Sequence, residues 1–217
     1  IDAIYGWKTD GIITSNEDIL AYMPNATMGN VKYVDVNGDN VLDSKDVVKL
    51  GNTTPRWYAG LGNTFSYKGF DLNFYFYGAF GYKKWRGQVP DTGIIGNNGT
   101  AAGNTYKTII TDVWNSQTGN GWMPGIATNV YDSSNPSGRN DFHLMNGSYV
   151  KLKNITLGYT LPQSVFTKSK FIRGARFFVD AQNIATFTGY KGFDPELGTD
   201  NPYPQALSLS FGFNLNF

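Results

Sequence analysis

Residues 206–217 decide the fold, and they read ALSLSFGFNLNF. Large apolar side chains occupy every second position, whereas the positions between them hold Ala, Ser, Gly or Asn. The apolar positions are Leu207, Leu209, Phe211, Phe213, Leu215 and Phe217. Strict period-two alternation is typical of a β-strand with one apolar face. Because the opposite face is small and uncharged, unlike the Lys- and Glu-rich face of a soluble sheet, the pattern favours a strand of a transmembrane β-barrel.

Four further stretches alternate in the same way, at 57–66, 70–80, 149–161 and 175–187. Each has about ten residues or more, which is enough to cross a bilayer when the strand is tilted. The apolar face of the second stretch is formed by Phe70, Leu72, Phe74 and Phe76.

Tyr67-Lys68-Gly69 joins the first two stretches, which predicts a hairpin with Gly69 at positive φ. In 149–161 the apolar positions change phase, which predicts a β-bulge near Lys153-Asn154. Tyr5 and Trp7 mark the end of an earlier strand.

The connections between these strands give an independent prediction of orientation. The long connections are 8–55, 82–148 and 188–205, and the short ones are 67–69 and 162–174. All three long connections fall on one side of the predicted sheet. Because outer-membrane barrels have long external loops and short periplasmic turns, we expect the long connections to be extracellular and Phe217 to lie at the periplasmic side.

Composition narrows the protein class. The 217 residues include no Cys, and 18 basic and 17 acidic residues give a net charge of +1. This balance gives no reason to expect a nucleic-acid partner. No run of eighteen apolar residues exists, so no membrane helix is predicted. The chain begins at Ile1 without a signal peptide, so we expect it to be processed or partial.

Five or six strands cannot close a membrane barrel, because about eight is the minimum. An open sheet edge in lipid leaves backbone groups without hydrogen bonds. We therefore expect a larger protein to supply the missing strands. Residues 206–217 should pair with 175–187 on one side and with an absent strand on the other, and Phe217 is typical of a barrel-assembly signal.

Residues 35–46 read DVNGDNVLDSKD, which has the spacing of a twelve-residue calcium loop. The predicted ligands are the side chains of Asp35, Asn37, Asp39, Asp43 and Asp46 and the backbone carbonyl of Val41. Ca²⁺ prefers several hard oxygen ligands, and this spacing brings them to one point. Leu42 is apolar, as expected for the residue that anchors such a loop to its core.

Two positions depart from the usual calcium loop. Asn40 replaces Gly at position six, although Asn tolerates the left-handed conformation. Asp46 replaces Glu at position twelve, as in the calcium loops of dockerin modules. The alternative interpretation is an acidic turn that binds no metal.

Other polar features are less specific. Lys83, Lys84 and Arg86 surround Trp85, and they are typical of either a lipid-phosphate site or a solvated rim. Tyr75 and Tyr77 on the polar face either stack on sugar rings or pack the wall. The single histidine, His143, has no partner motif that would indicate a nucleophile–base pair.

Several segments resemble SusC/RagA-type TonB-linked outer-membrane proteins. The matching segments, in chain order, are GWKTDGI at 6–12, VKYVDVNGD at 31–39, YKGFDL at 67–72, LKNITLGYTLP at 152–162, QN at 182–183, TFT at 186–188, GFDPE at 192–196 and YPQ at 203–205. Singly these segments are weak, but together and in this order they are specific.

The resemblance implies an all-β fold, in which this chain forms the C-terminal strands of a barrel of about 22 strands with an N-terminal plug. It also implies TonB-driven import of oligosaccharides or peptides across the Gram-negative outer membrane, with a SusD-like surface lipoprotein as a lid and no covalent chemistry. The TonB complex would be contacted through a part outside this chain. Two alternatives are a surface adhesion or scaffold module built around the calcium loop, and a barrel lipase.

Overall fold

The period-two segments form a single antiparallel sheet in the computed structural model of the chain. The structure describes residues 2–85, 113–122, 124–125, 140–142, 144–192, 194–197, 203 and 205–217. The five strands of the sheet are β5 (Trp57–Tyr67), β6 (Phe70–Phe80), β9 (Tyr149–Thr160), β10 (Gly174–Thr188) and β11 (Ser208–Asn216), numbered in chain order. Their order in the sheet is β11-β10-β9-β6-β5. The strand boundaries confirm those predicted from the alternation to within about two residues.

The remaining elements are short. They are β1 (Ala3–Gly6), β2 (Thr9–Ile12), β3 (Val31–Tyr33), β4 (Val48–Asn52), β7 (Lys83–Trp85), β8 (Leu144–Asn146) and 3₁₀ turns at Asn16–Asp18, Ser44–Asp46 and Gln163–Phe166. β1 pairs with β4, β2 with β3, and β7 with β8. The strand predicted near Tyr5 exists, but it pairs with β4 and not with the five-stranded sheet. The described residues contain no α-helix, and none of their helical turns has the length and apolar character needed to span a membrane.

The chain divides into two compact units. One unit contains residues 2–53 and the described residues of 85–145, and the other contains residues 54–84 and the described residues from 146 onward. The first unit has its own small core, which includes Trp7, Ile13, Met23, Val31, Tyr33 and Leu42. Alternation does not predict this unit, because its buried residues come from segments that are too short to show a sustained period.

Within the first unit, the GWKTDGI segment is structural. Trp7 is buried and packs edge-on against Tyr33 at 6.1 Å between ring centroids. The backbone N–H and hydroxyl of Thr9 both donate to the Asp141 carboxylate, at 2.8 and 2.6 Å. These contacts hold residues 140–142 against the start of the chain.

The sheet of the second unit has one apolar and one polar face. Rows of cross-strand partners on the apolar face are built mainly from large apolar side chains, for example Phe211, Val179, Leu157, Leu72 and Phe65. On the polar face, Arg176 of β10 donates to Asp71 of β6 at 2.9 and 2.5 Å across β9. This ion pair passes over Gly158, where a Cβ atom would clash with the guanidinium of Arg176 and the carboxylate of Asp71. A larger side chain at position 158 would therefore have to displace the ends of the Arg176 and Asp71 side chains.

Two predicted backbone irregularities are present. Asn154 pairs with Tyr75 and Leu152 with Phe76, so Lys153 is the extra residue of a β-bulge. Lys68 and Gly69 connect β5 to β6 at φ values of 46° and 86°. Two positive φ values in a two-residue connection fit the hairpin turn that matches strand twist.

Candidate functional site

The predicted calcium loop has the expected backbone. Asn40 adopts φ 62°, so the residue at position six takes the left-handed conformation without glycine. Leu42 belongs to the core of the first unit, which confirms its predicted role as the anchor. Val41 is exposed, and its carbonyl is the predicted ligand at position seven.

The buried carboxylate of Asp46 accepts hydrogen bonds from backbone N–H groups of the loop. One of its carboxylate oxygens accepts the N–H groups of Val36 at 2.9 Å and Asn37 at 3.4 Å, and the other accepts the N–H of Asp43 at 2.9 Å. Burial alone would raise the pKa of Asp46, but these backbone hydrogen bonds outweigh it and hold the pKa below its ordinary range. Asp46 therefore fixes the two ends of the loop as a buried carboxylate.

The other acidic side chains of the loop also bind its own amides. The two oxygens of Asp35 accept the N–H groups of Gly38 and Asn40, both at 2.7 Å. Similar bonds are made by Asn37 to the N–H of Asp39, by Asp39 to that of Val41, and by Asp43 to that of Lys45. The side chains therefore turn toward the loop's own backbone, as hydrogen-bond acceptors with lone pairs left over.

A single cation of the chain lies among these carboxylates. The Lys45 ammonium is 3.5 Å from Asp39 and 3.4 Å from Asp43, and both carboxylates raise the pKa of Lys45, Asp43 the more strongly. The donor set fits Ca²⁺ in its chemistry, since it consists of hard oxygen atoms. In the described part of the chain, however, no three acidic, histidine or cysteine side chains converge as a metal site. Calcium at 35–46 therefore stays a prediction.

A second cluster lies in the other unit, where three lysines hold residues 194–197, which we call the anchored segment. The Lys84 ammonium donates to the carbonyl oxygens of Asp194 at 3.1 Å, Pro195 at 2.9 Å, and Leu197. The Tyr82 hydroxyl also donates to Pro195, at 3.0 Å. Three converging carbonyls bind the ammonium much as they would bind a small cation, so the backbone of the anchored segment is fixed to β7.

The acidic side chains of the anchored segment face β9. The Lys151 ammonium donates to Asp194 and Glu196, each at 2.8 Å, and to Gln205 at 3.2 Å. Lys153 binds both oxygens of Glu196 at 2.6 and 2.7 Å. The side chain of Lys151 is only 2% exposed, so this ion pair is shielded from water. Lys151 and Lys153 are two residues apart, so both lie on the polar face of β9, and the bulge adds Asn154 to the same face.

The electrostatics of the anchored segment reflect its burial. Desolvation is the largest effect on Glu196 and raises its pKa, but the hydrogen bonds and charges of Lys151 and Lys153 together lower that pKa below its ordinary value. Burial raises the pKa of Tyr82 to about 12, with a further contribution from Asp194. Burial also lowers the pKa of Lys84, against the attraction of Asp194.

Sequence reasoning missed this cluster. Lys84 was grouped with Lys83 and Arg86 as a rim or lipid-phosphate site, but it is buried and bound to carbonyl oxygens, so that interpretation is wrong for Lys84. Arg86 lies outside the described residues, as does His143. One sequence feature could have indicated this cluster. Lys151 and Lys153 lie beside a predicted bulge, in a strand whose polar face is otherwise uncharged.

The predicted membrane-facing residues share one face of the sheet. Phe70, Leu72 and Phe74 of β6 lie in register with Phe213, Phe211 and Leu209 of β11 through β9 and β10. Leu207 and Phe217 flank β11 and are exposed, and Phe211 is 75% exposed. Contact of this face with lipid stays a prediction. On the other face, Tyr75 lies over Gly60 and Gly62, so its ring packs on the wall.

The chain is similar along its whole length to TonB-dependent receptors. It is 27% identical to TonB-dependent receptor P3 of Formosa agariphila over 100% of this chain and 22% of that protein. It is also 27% identical to the TonB-dependent receptor SusC of Bacteroides thetaiotaomicron, over 85% of this chain and 17% of that protein. No protein-family model matches the chain.

Solved structures give the same result. The RagAB peptide importer in its open-open state has 25% sequence identity and a TM-score of 0.70, covering 99% of this chain and 22% of that one. The RagAB peptide transporter has 24% identity and a TM-score of 0.73, over the same shares of the two chains. The chain thus spans about a fifth of the length of the proteins it matches. The resemblance to SusC/RagA-type TonB-dependent receptors is confirmed, and the all-β fold matches part of the RagA barrel.

Proposed function

We propose that the protein containing this chain imports nutrients through the Gram-negative outer membrane as a TonB-dependent transporter, and that this chain forms part of the barrel wall. The observation that carries the proposal is the five-stranded sheet with one continuous apolar face, found in a chain that matches such receptors from end to end. Transport by such a wall needs no covalent chemistry.

The proposed orientation puts the long connections outside the cell. Residues 8–55, 82–148 and 188–205 are the extracellular segments in this arrangement, and the turn at 68–69 and the link after β9 face the periplasm. The two-residue turn and the thirteen-residue link support this orientation, because periplasmic connections of outer-membrane barrels are short.

Oligosaccharides or peptides are the proposed substrates. The RagAB peptide importer, which is similar over 99% of the chain, supports the peptide class, and the oligosaccharide class rests on the resemblance to SusC/RagA-type proteins alone. By the same resemblance, a SusD-like lipoprotein is the proposed surface partner, and the TonB complex would act through a part of the receptor outside this chain. Purification of the full-length receptor from its own cells tests the partner, because a SusD-like lipoprotein should copurify.

Calcium is the proposed structural ion of residues 35–46. The segment holds four aspartates and one lysine, which leaves a net charge of −3 to be neutralised. A bound Ca²⁺ would link the acidic groups that otherwise repel one another, and would order an extracellular segment near an incoming substrate or lid. Asp35, Asn37, Asp39, Asp43 and the Val41 carbonyl would hold it, with Asp46 as the buried closing ligand.

The membrane location is tested with a charge on each face of the same strand. Phe74→Arg places a cation on the apolar face of β6 and should destabilise the inserted barrel by about 2–4 kcal/mol if Phe74 lies near the midplane. Asn73→Arg is the matched control, because it adds the same charge to the polar face. The readout is the amount of full-length receptor in the outer-membrane fraction, followed by urea unfolding in lipid vesicles.

Equal effects of the two arginines would argue against the membrane orientation. A receptor that stays soluble without detergent would argue against the barrel altogether and favour the adhesion or scaffold module. Import itself is tested by deleting the receptor gene and measuring growth on defined oligosaccharides and peptides as sole nutrients. Normal growth of the deletion strain on every such nutrient would contradict a role in nutrient import.

A further inference from the structure

The link between β9 and β10, residues 161–173, is an ordered basic segment, which we call the basic link. It contains the 3₁₀ turn Gln163–Phe166, and the Ser169 hydroxyl accepts the N–H groups of Phe171 at 3.4 Å and Ile172 at 2.9 Å. The N–H of Arg173 donates to the Asn216 carbonyl at 2.7 Å, which fixes the end of the basic link to β11. The basic link therefore presents its side chains from a defined backbone.

The cations of the basic link are exposed and unneutralised. Lys168, Lys170 and Arg173 are all solvent-exposed, and residues 161–175 contain no Asp or Glu. None of the three forms an ion pair with any residue in the described ranges. Lys68 adds a fourth cation at the same end of the sheet, since Thr160 donates to the carbonyl of Gly69 in its turn. Arg176 lies three residues further along the chain, in β10, and by contrast it is paired with Asp71.

Aromatic side chains border these cations on the apolar face. The cross-strand partners Tyr67, Phe70, Tyr159, Phe177 and Phe213 form one row across all five strands. Phe70 and Tyr159 lie 4.4 Å apart between ring centroids. Beyond this row, Phe171 of the basic link is 78% exposed. A row of aromatics next to Lys and Arg is the arrangement expected where a protein crosses from hydrocarbon to lipid headgroups.

We propose that this end of the sheet binds the phosphate group of an anionic glycerophospholipid. Lys168, Lys170 and Arg173 supply the positive charge, and Phe171 inserts at the boundary between headgroup and acyl chain. Arg173 is suited to two-pronged phosphate binding, and the lysines act as point charges. The inference rests on the proposed function, because it requires the apolar face to lie in a bilayer. The periplasmic orientation selects a glycerophospholipid, since that is the lipid of the leaflet on this side.

The experiment uses the full-length receptor reconstituted in nanodiscs of phosphatidylethanolamine with or without phosphatidylglycerol. Native mass spectrometry counts the phosphatidylglycerol that each receptor retains. The test variant carries Lys168→Gln, Lys170→Gln and Arg173→Gln, and the control carries Lys8→Gln, Lys49→Gln and Arg56→Gln, which remove the same charge from exposed positions elsewhere. We expect retention to fall about five-fold per cation in the test variant, as for a cation at a membrane surface, and to stay unchanged in the control.

Phe171 provides a second test at constant charge. Phe171→Ser should lower phosphatidylglycerol retention, whereas Phe171→Trp should preserve it, because an aromatic ring remains at the interface. Equal retention by the test and control variants would overturn the proposal. Displacement of the lipid by inorganic phosphate would also overturn it, and would assign a free-anion site instead.

The outcomes separate this inference from the proposed function. If the receptor fractionates with the outer membrane but both triple variants retain lipid equally, only the lipid site fails. If the receptor does not fractionate with the membrane, the proposed function fails first. Loss of a copurifying protein from the test variant, with lipid retention intact, would give this surface a protein partner and overturn the lipid assignment.

Discussion

Two acidic stretches of this chain, residues 35–46 and the anchored segment 194–197, each lie next to lysine side chains. Their negative charge is neutralised in different ways. In residues 35–46, four aspartates share one lysine, Lys45, whose side chain is 68% exposed. In the anchored segment, the two carboxylates meet Lys151 and Lys153, and Lys84 binds the backbone. The first stretch has a surplus of three negative charges, whereas the second cluster has a surplus of one positive charge.

The difference indicates which stretch requires an ion from solution. The anchored segment is bound by three lysines of β7 and β9, of which Lys84 and Lys151 are buried, so salt and chelators should have little access to it. The loop at 35–46 has only an exposed lysine, and an exposed pair contributes little to stability. An external cation is therefore useful in the first case and unnecessary in the second.

The largest expected effect follows from removing Lys151. Lys151→Met leaves Asp194 and Glu196 with a buried charge that lacks its main partner, which costs about 3–5 kcal/mol for a broken buried pair. Lys153→Met is the matched control, because Lys153 is half-buried and Glu196 keeps Lys151 in its absence. The destabilisation in each of the two variants is measured by hydrogen exchange of the anchored segment in the full-length receptor. If the two variants exchange at the same rate, burial of Lys151 is not what holds the segment.

The next largest effect is expected from calcium, which should stabilise residues 35–46 and not the anchored segment. At a concentration one hundred times its Kd, Ca²⁺ should stabilise residues 35–46 by about 2.7 kcal/mol and leave the anchored segment unchanged. Isothermal titration and hydrogen exchange, with and without a chelator, measure the two effects. Lys45→Met sharpens the test, because removal of an ammonium 3.4 Å from Asp43 should tighten calcium binding. No heat of binding and no protection in excess calcium would eliminate the ion and leave a hydrogen-bonded acidic turn.

Asp46 should matter whether or not calcium binds. Asp46→Ala removes the acceptor of three backbone N–H groups in a buried position, at a cost of about 1–3 kcal/mol for unsatisfied buried groups. Asp46→Asn is the control, since it keeps the shape and one acceptor oxygen. The readout is amide exchange at Val36 and Asp43 in calcium-free buffer. An alanine variant with exchange as slow as the wild type would mean that other contacts close the loop.

The smallest expected effect is on pH dependence. The pKa of folded Glu196 lies below its ordinary value of 4.5, so its ion pairs contribute stability that is fully present above about pH 4.5. That contribution is lost as the pH falls through the folded-state pKa. Limited proteolysis of the anchored segment should therefore accelerate below pH 4.5, and Glu196→Gln should remove the change. Cleavage that accelerates equally in Glu196→Gln would assign the transition to another group.

Local patterns account for what the sequence predicted correctly. The strands, the Lys68-Gly69 turn, the bulge at Lys153 and the left-handed Asn40 each depend on a few neighbouring residues. The anchored segment could not be derived in this way, because Lys151 lies more than forty residues from Asp194 and Glu196. A lysine that alternates onto the polar face of a strand looks the same whether it faces water or a buried carboxylate.

The first unit shows a second limit of pattern reasoning. Residues 8–55 were predicted as an extracellular loop, and they form short strands around a core that includes Ile13, Met23 and Tyr33. Their buried side chains come from turns and strands of three or four residues, which are too short to show a period. The loop therefore has a compact fold that the alternation does not predict.

The bulge at Lys153 determines where the length of β9 can change during evolution. With Lys153 extra, Leu152 and Asn154 occupy opposite faces as though they were adjacent in a regular strand. Loss of Lys153 or of Asn154 would keep every other side chain of β9 on its present face, whereas loss of any other interior residue would exchange faces for one part of the strand. Relatives whose β9 is one residue shorter should therefore lack the bulge, and alignments should place the gap at one of these two positions.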